Sequence, residues 1–250
     1  MNYQHWDYFT FDGVKSDDYG VWISGTQTFA APERDVEIVT VPGRNGALTL
    51  DNKRYKNVEI IYPCFMSSEF DKEFGAFKAA MLSKVGYLQL TDTYHPNGFR
   101  LARLTGGFEP ETGIYNRSGQ FEVTFDCYPQ FYLSAGQEYT TVSTSGTTIE
   151  NVTFFPAKPL VEVTFSSSTR TGTVTVGGET ITITEADTSP IYLDSEEQNA
   201  YYLTGTVRTS QNDKIALTTG EFPTLTPGSN LVSWTGNISS VKVMPRWWTL

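Results

Sequence analysis

Cysteine is nearly absent from this 250-residue chain, with Cys64 and Cys127 the only two. A pair so far apart cannot form a disulfide framework and lacks the close spacing of a zinc or redox motif, so a reduced, intracellular origin is expected. Histidine is equally scarce. His5 and His95 stand alone, and neither has the second histidine that a metal centre or catalytic relay would use. Positive charge is in deficit too: 18 Lys and Arg against 28 Asp and Glu leave a formal charge of −10. As a whole, such a chain repels phosphate backbones and is not expected to wrap nucleic acid. No run approaches the roughly 20 apolar residues of a membrane-spanning helix, so membrane insertion is not expected. The first residues, Met-Asn-Tyr-Gln-His-Trp-Asp, lack a basic segment followed by an apolar one, so no secretory signal is read there. Phosphate loops, dinucleotide fingerprints and nucleophile elbows are missing, and no cofactor is expected.

What is present describes a folded, β-rich chain. Apolar residues make up 39% and charged residues 18%, outside the range of disordered tails and coiled coils. Residues 1–130 contain 16 Ser and Thr and residues 131–250 contain 37, which marks a change of character near Ser134-Ala-Gly-Gln-Glu138. Two domains of ordinary size follow: 1–133, then 134–154 as linker and first strand of the next domain, then 155–250.

In the first domain, Phe70, Phe74, Phe77 and Met81 recur at steps of four, three and four. That spacing predicts one amphipathic helix between Ser67 and Lys84. Ser67 or Ser68 is expected to cap it and Gly86 to end it. Alternation at Val36–Val41, Leu48–Leu50, Val58–Tyr62, Tyr87–Leu90, Phe99–Leu104 and Phe121–Phe125 predicts strands around the helix. Asn45-Gly46 marks a hairpin turn. The first domain is therefore read as an α+β sandwich with one packed helix. The second reads as all-β, with Gly177-Gly178 as a two-residue hairpin loop and short strands near residues 161–165, 173–176, 180–184, 191–193, 201–203, 215–218, 231–234 and 241–244. That pattern is a β-sandwich or jelly roll.

Candidate chemistry is sparse. His95 precedes Pro96 in a turn and reads as a surface residue. Cys64 and Cys127 lie in apolar strand contexts and read as inert buried thiols. Glu109/Glu111 and Glu196/Glu197 have the residue types of a glycosidase pair, but two such carboxyls must face each other and spacing alone does not establish that; solvated turns are the ordinary reading. Gly43-Arg44-Asn45-Gly46 has the Gly-x-x-Gly form of an RNA-clamping loop, but here it joins strands and not helices. Asn116-Arg-Ser, Asn151-Val-Thr and Asn237-Ile-Ser fit the glycosylation pattern and are read as coincidence. Aromatic residues are abundant at 14%, and Tyr and Trp are favoured at interfaces and on sugar platforms. Trp247 and Trp248 form a candidate aromatic surface. As strand neighbours they face opposite ways, so one is expected to pack inward.

Several segments taken together resemble a known family. Phe11-Asp12-Gly13-Val14, Asp18-Tyr-Gly-Val21, Ala31-Pro-Glu-Arg34, Val41-Pro-Gly-Arg-Asn-Gly46, Arg54-Tyr55, Asp92-Thr-Tyr-His-Pro96 with Phe99-Arg100, and Phe121 through Cys127-Tyr-Pro-Gln130 resemble the N-terminal domain of siphophage distal tail (Dit) proteins of Gram-positive hosts. Asp194-Ser-Glu, Asn199-Ala-Tyr, Phe222-Pro, Pro227-Gly, Trp234-Thr-Gly236 and Pro245-Arg-Trp-Trp248 are similar to that family's C-terminal domain. The resemblance implies a structural protein without enzymatic activity. N-terminal domains would close into a ring, usually a hexamer, at the end of the tail tube, and DNA would pass the lumen without specific binding. A galectin-like sandwich would lie outside and hold tail-associated and receptor-binding proteins. The implied location is the virion tail tip, assembled in the host cytoplasm. A carbohydrate-binding module is the alternative, and a wall-degrading enzyme a third.

One element invites a specific expectation. The hairpin from about Glu33 to Asp51 carries Val36, Ile38, Leu48 and Leu50 on its arms and Arg44 and Asn45 at its tip. Isolated two-stranded hairpins are marginal in water, so something must cover these side chains. Either the domain's own core does so, or the hairpin reaches across to an adjacent subunit and these six residues form an interface.

Overall fold

The computed structural model describes residues 6–25, 30–67, 69–113, 115 and 117–250. The chain divides into two compact units, Met1–Phe131 with Leu250, and Tyr132–Thr249. Among the described residues the fold is mainly β with one α-helix.

In the first unit an antiparallel sheet runs in the order Val14–Lys15, Phe9–Phe11, Leu88–Asp92, Gly98–Thr105, Gly119–Leu133, Val58–Met66, Trp22–Ile23. Alternation sets its two faces. Along Val58–Met66 the even-numbered Val58, Ile60, Tyr62, Cys64 and Met66 are buried. Their partners across the ladder, Phe121, Val123, Phe125 and Cys127, are buried with them. The helix, Phe70–Leu82, lays Phe70, Phe77 and Met81 on this inner face. Phe77 has no exposed surface and sits edge-on to Phe9 with centroids 6.5 Å apart. Phe9 in turn stacks on Tyr62 at 5.3 Å.

The helix starts differently from the expectation. Its N-cap is Glu69, in the left-handed region at φ 56°, with no side-chain cap. Neither Ser67 nor any other side chain takes that role, and Ser68 lies outside the described residues. The free amides find backbone oxygens instead: Lys72 N and Glu73 N donate to Glu69 O at 2.9 and 3.0 Å, and Phe70 N donates to Arg117 O at 3.2 Å. At the other end the helix stops at Leu82, before Gly86.

The second unit is a β-sandwich. One sheet orders Thr140–Val142, Ile238–Met244, Leu160–Phe165, Ile191–Asp194, Asn199–Thr204 and Val207–Ser210. The other orders Thr147–Asn151, Gly228–Gly236, Gly172–Val176, Glu179–Ile183 and Ile215–Leu217. Val161, Val163, Ile191, Leu193, Val241 and Val243 from the first pack with Val174, Val176, Ile181, Ile183 and Val232 from the second in one core. Gly177 and Gly178, at φ 59° and 96°, make the tight turn read from the sequence. The stretch 134–154 contributes two strands to the sandwich, one to each sheet.

Candidate subunit interface

The hairpin is a sheet of its own. Strands Arg34–Val39 and Leu48–Tyr55 pair only with each other among the described residues. Residues opposite each other in an antiparallel pair share a face. Val36 and Ile38 therefore lie on one face, and Val39, Leu48 and Leu50 on the other. Both faces are open: Val36 is 37%, Ile38 69%, Leu48 38% and Leu50 53% exposed. The domain's own core does not cover this hairpin.

Polar contacts stiffen its base. Arg34 donates from Nε and Nη2 to the two oxygens of Asp51 at 3.0 and 2.7 Å, and its guanidinium lies 4.8 Å over the Tyr55 ring. Lys53 N also donates to Asp51 at 2.8 Å. These bonds, Arg34 first, hold the Asp51 carboxyl below its ordinary pKa. Arg54 reaches Asp35 at 2.6 Å, and Lys56 reaches Glu33 at 3.2 Å. At the tip Gly43 and Gly46 take φ 80° and 78°, and Arg44 N donates to Val41 O at 3.2 Å. The Gly-x-x-Gly segment is thus a hairpin turn. Arg44 and Asn45 are exposed there, and Arg44 has no ionic partner among the described residues.

The aromatic candidates separate. Trp247 is 7% exposed and packs in the sandwich core, so it leaves the proposed aromatic surface. Trp248 is half-buried and packs against the edge of the same core, where its ring stacks on Phe155 at 4.5 Å and Nε1 donates to Pro156 O at 3.0 Å. Tyr201 is 3% exposed and lies beneath the Arg208 guanidinium, 4.6 Å away.

The other candidates resolve into structural parts. Both His95 N and Nδ1 contact Asp92 Oδ1, at 2.7 and 3.0 Å, and Tyr62 OH donates to the same carboxylate's Oδ2 at 2.5 Å. His5 lies outside the described residues. Cys64 and Cys127 are buried and free, and burial pushes both thiols up, Cys127 to about 12. Glu196 N and Glu197 N donate to Asp194 Oδ1, and their side chains pair with Lys158 and Arg208. Asn151 is 2% exposed, and its Nδ2 donates to Phe155 O and Leu225 O at 3.0 and 3.1 Å. Asn237 donates to Thr169 O at 2.9 Å, and Asn116 lies outside the described residues.

Two features went unread in the sequence. Arg246 grips the buried Asp194 with Nη1–Oδ1 at 2.7 Å and Nη2–Oδ2 at 2.9 Å. Burial alone would raise the Asp194 pKa. The Arg246 fork and the amides of Glu197 and Glu196 outweigh it and hold the carboxyl below its ordinary value. Glu109 and Glu111 also do not stand alone, because Glu122 joins them around a recess of about 460 Å³. Its outward position was available from strand alternation, but its neighbours were not. Among the described residues no cluster could hold a metal ion, and no helix is long and apolar enough to cross a membrane.

No family model and no curated protein sequence matches the chain. Solved structures do. The crystal structure of Dit from phage SPP1, described as a hub of the adsorption apparatus of phages infecting Gram-positive bacteria, aligns with a TM-score of 0.76 at 14% identity. That alignment covers 98% of this chain and 99% of the other. Two structures of the phage p2 baseplate in its activated conformation, with Ca and with Sr, contain chains that align with TM-scores of 0.54 and 0.55. Both are 12% identical and cover 95% of this chain and 97% of theirs. From end to end, then, the chain has the fold of the phage distal tail protein that its sequence resembles.

Proposed function

We propose that this chain is a structural hub of a phage tail tip. Copies close into a ring, a hexamer on the family pattern, through their first domains. DNA passes the lumen without specific binding, and the outer sandwiches hold tail-associated and receptor-binding proteins. The chemistry is mechanical and not catalytic: a head-to-tail interface that closes gives a ring in place of a filament.

The observation that carries this reading is the free hairpin. A two-stranded sheet with large apolar side chains exposed on both faces is an unfinished surface, since such hairpins need a partner layer. An adjacent subunit supplies one, with Val36, Ile38, Leu48 and Leu50 buried against it and Arg44 and Asn45 at the far end. The net charge of −10 supports a conduit that does not grip DNA. Size-exclusion chromatography with light scattering on the full chain tests the reading: a ring elutes at about six chain masses, and a lone binding module as a monomer. A monomer at high concentration would overturn it.

A further inference from the structure

We propose that the hairpin tip docks, in a second copy of this chain, into the recess formed by Glu109, Glu111 and Glu122, with Arg44 held among those carboxylates. This rests on the arm reading above and adds the place where the arm lands.

The recess follows from strand register. Glu122 stands opposite Pro63 on the face of the first sheet turned away from the helix. The short strand Glu111–Thr112 pairs with Gly119–Gln120 and brings Glu111 opposite Gln120, with Glu109 just before it. The result is an open hollow of about 460 Å³, lined by the three glutamates, Gln120 and Pro63. All three glutamates are exposed, and none has a cationic partner among the described residues. They do not converge as metal ligands would. A guanidinium entering the hollow would meet carboxylates that have no cation of their own among the described residues.

Arg44 is the complementary group. Elsewhere on the hairpin Arg34, Arg54 and Lys56 are each neutralised by a carboxylate of the opposite strand. Of its cations only Arg44 and Lys53 lack such a partner among the described residues, and only Arg44 is at the tip. A strand climbs ~3.3 Å per residue, so the five steps from Arg34 to Val39 span roughly 16 Å before the turn that carries Arg44. The guanidinium presents five N–H donors in a rigid fork and can serve more than one carboxylate at once. Arg44 meets no carboxylate of its own chain among the described residues, which leaves its fork free for a second copy.

The test uses the full chain, with light scattering for assembly and thermal melting for subunit fold. Arg44→Glu, and separately the pair Glu109→Arg with Glu111→Arg, are expected to raise the concentration needed for assembly at least tenfold with unchanged melting. Combining all three substitutions is expected to restore assembly. Glu122→Gln, a milder change, weakens assembly in the same direction and stands in if the double variant misfolds. If Arg44→Glu dissociates the oligomer and the combination stays dissociated, the arm lands elsewhere and the recess assignment falls while the arm reading survives. If Arg44→Glu assembles like the parent, the recess assignment falls as well. A parent that never assembles overturns both.

Discussion

Asp194 is 1% exposed, with each carboxylate oxygen bonded to one nitrogen of the Arg246 fork. Removing Asp194 leaves the half-buried Arg246 charge without its carboxylate. Arg246, the partner left behind, is 22% exposed and partly solvated, so Asp194→Ala is expected to cost less than the ~3–5 kcal/mol of a fully buried pair, read from the urea midpoint of the second domain's unfolding. The same geometry fixes a pH dependence. The folded pKa of Asp194 is depressed, so its stabilising contribution is full above the unfolded value of about 3.9 and is lost as pH falls through the folded value. Asp194→Asn should start less stable at neutral pH and show a shallower loss on acidification. An acid limb as steep as the parent's would contradict this. Gly136 is a second sensitive position, because a Cβ there would lie 2.2 Å from Trp247 N. Overpacking of that kind costs ~1–3 kcal/mol, so Gly136→Ala should lower the denaturation midpoint by a corresponding amount. Neither contact was legible in the sequence. Both partners of the ion pair lie in segments that resemble the family, but pairing across so long a stretch of chain is fixed by tertiary structure and not by spacing.

The elements themselves were largely legible, for a physical reason. Wherever one face of a strand meets a core, alternation is strong, and Val58–Met66 and Leu160–Phe165 show it cleanly. Phe9–Phe11 was missed although Phe9 and Phe11 are buried, because three residues are too few to show alternation, and two other missed strands have little to bury. Val207–Ser210 is exposed throughout, and Thr140–Val142 buries only its last residue. The helix was read from its aromatic stripe, but its start was misplaced because backbone carbonyls and a left-handed Glu69 substitute for a serine cap. The hairpin was legible as a hairpin, whereas its isolation from the core was not: exposed and buried apolar strands look alike in one dimension. Its energetics give a clear expectation. Ile38→Ser and Leu50→Ser remove side chains that are 69% and 53% exposed, so the isolated subunit should change by no more than about 0.5 kcal/mol. Light scattering on the same variants should show weaker assembly. Unchanged assembly would mean that these faces meet nothing.

At the scale of the whole molecule, each unit has its own core: Phe9, Tyr62, Phe77 and Phe125 centre one, and Val161, Ile181, Leu193 and Val243 the other. Each should therefore fold when expressed alone. Met1–Leu133 is expected to assemble and residues 134–250, which keep both strands of the 134–154 stretch, to remain monomeric. The reverse outcome would move the assembling unit to the second domain. The likeness in fold to SPP1 Dit spans both units.

The two buried cysteines have a practical consequence. Neither thiol is accessible in the folded chain, and both resist ionisation. A maleimide dye should therefore leave the native protein unlabelled while it stays folded. One cysteine introduced at an exposed site away from the hairpin, such as Val85, which is 86% exposed, would then be the sole reactive thiol. Mixing donor- and acceptor-labelled copies would let energy transfer report how fast subunits exchange, without altering either native residue.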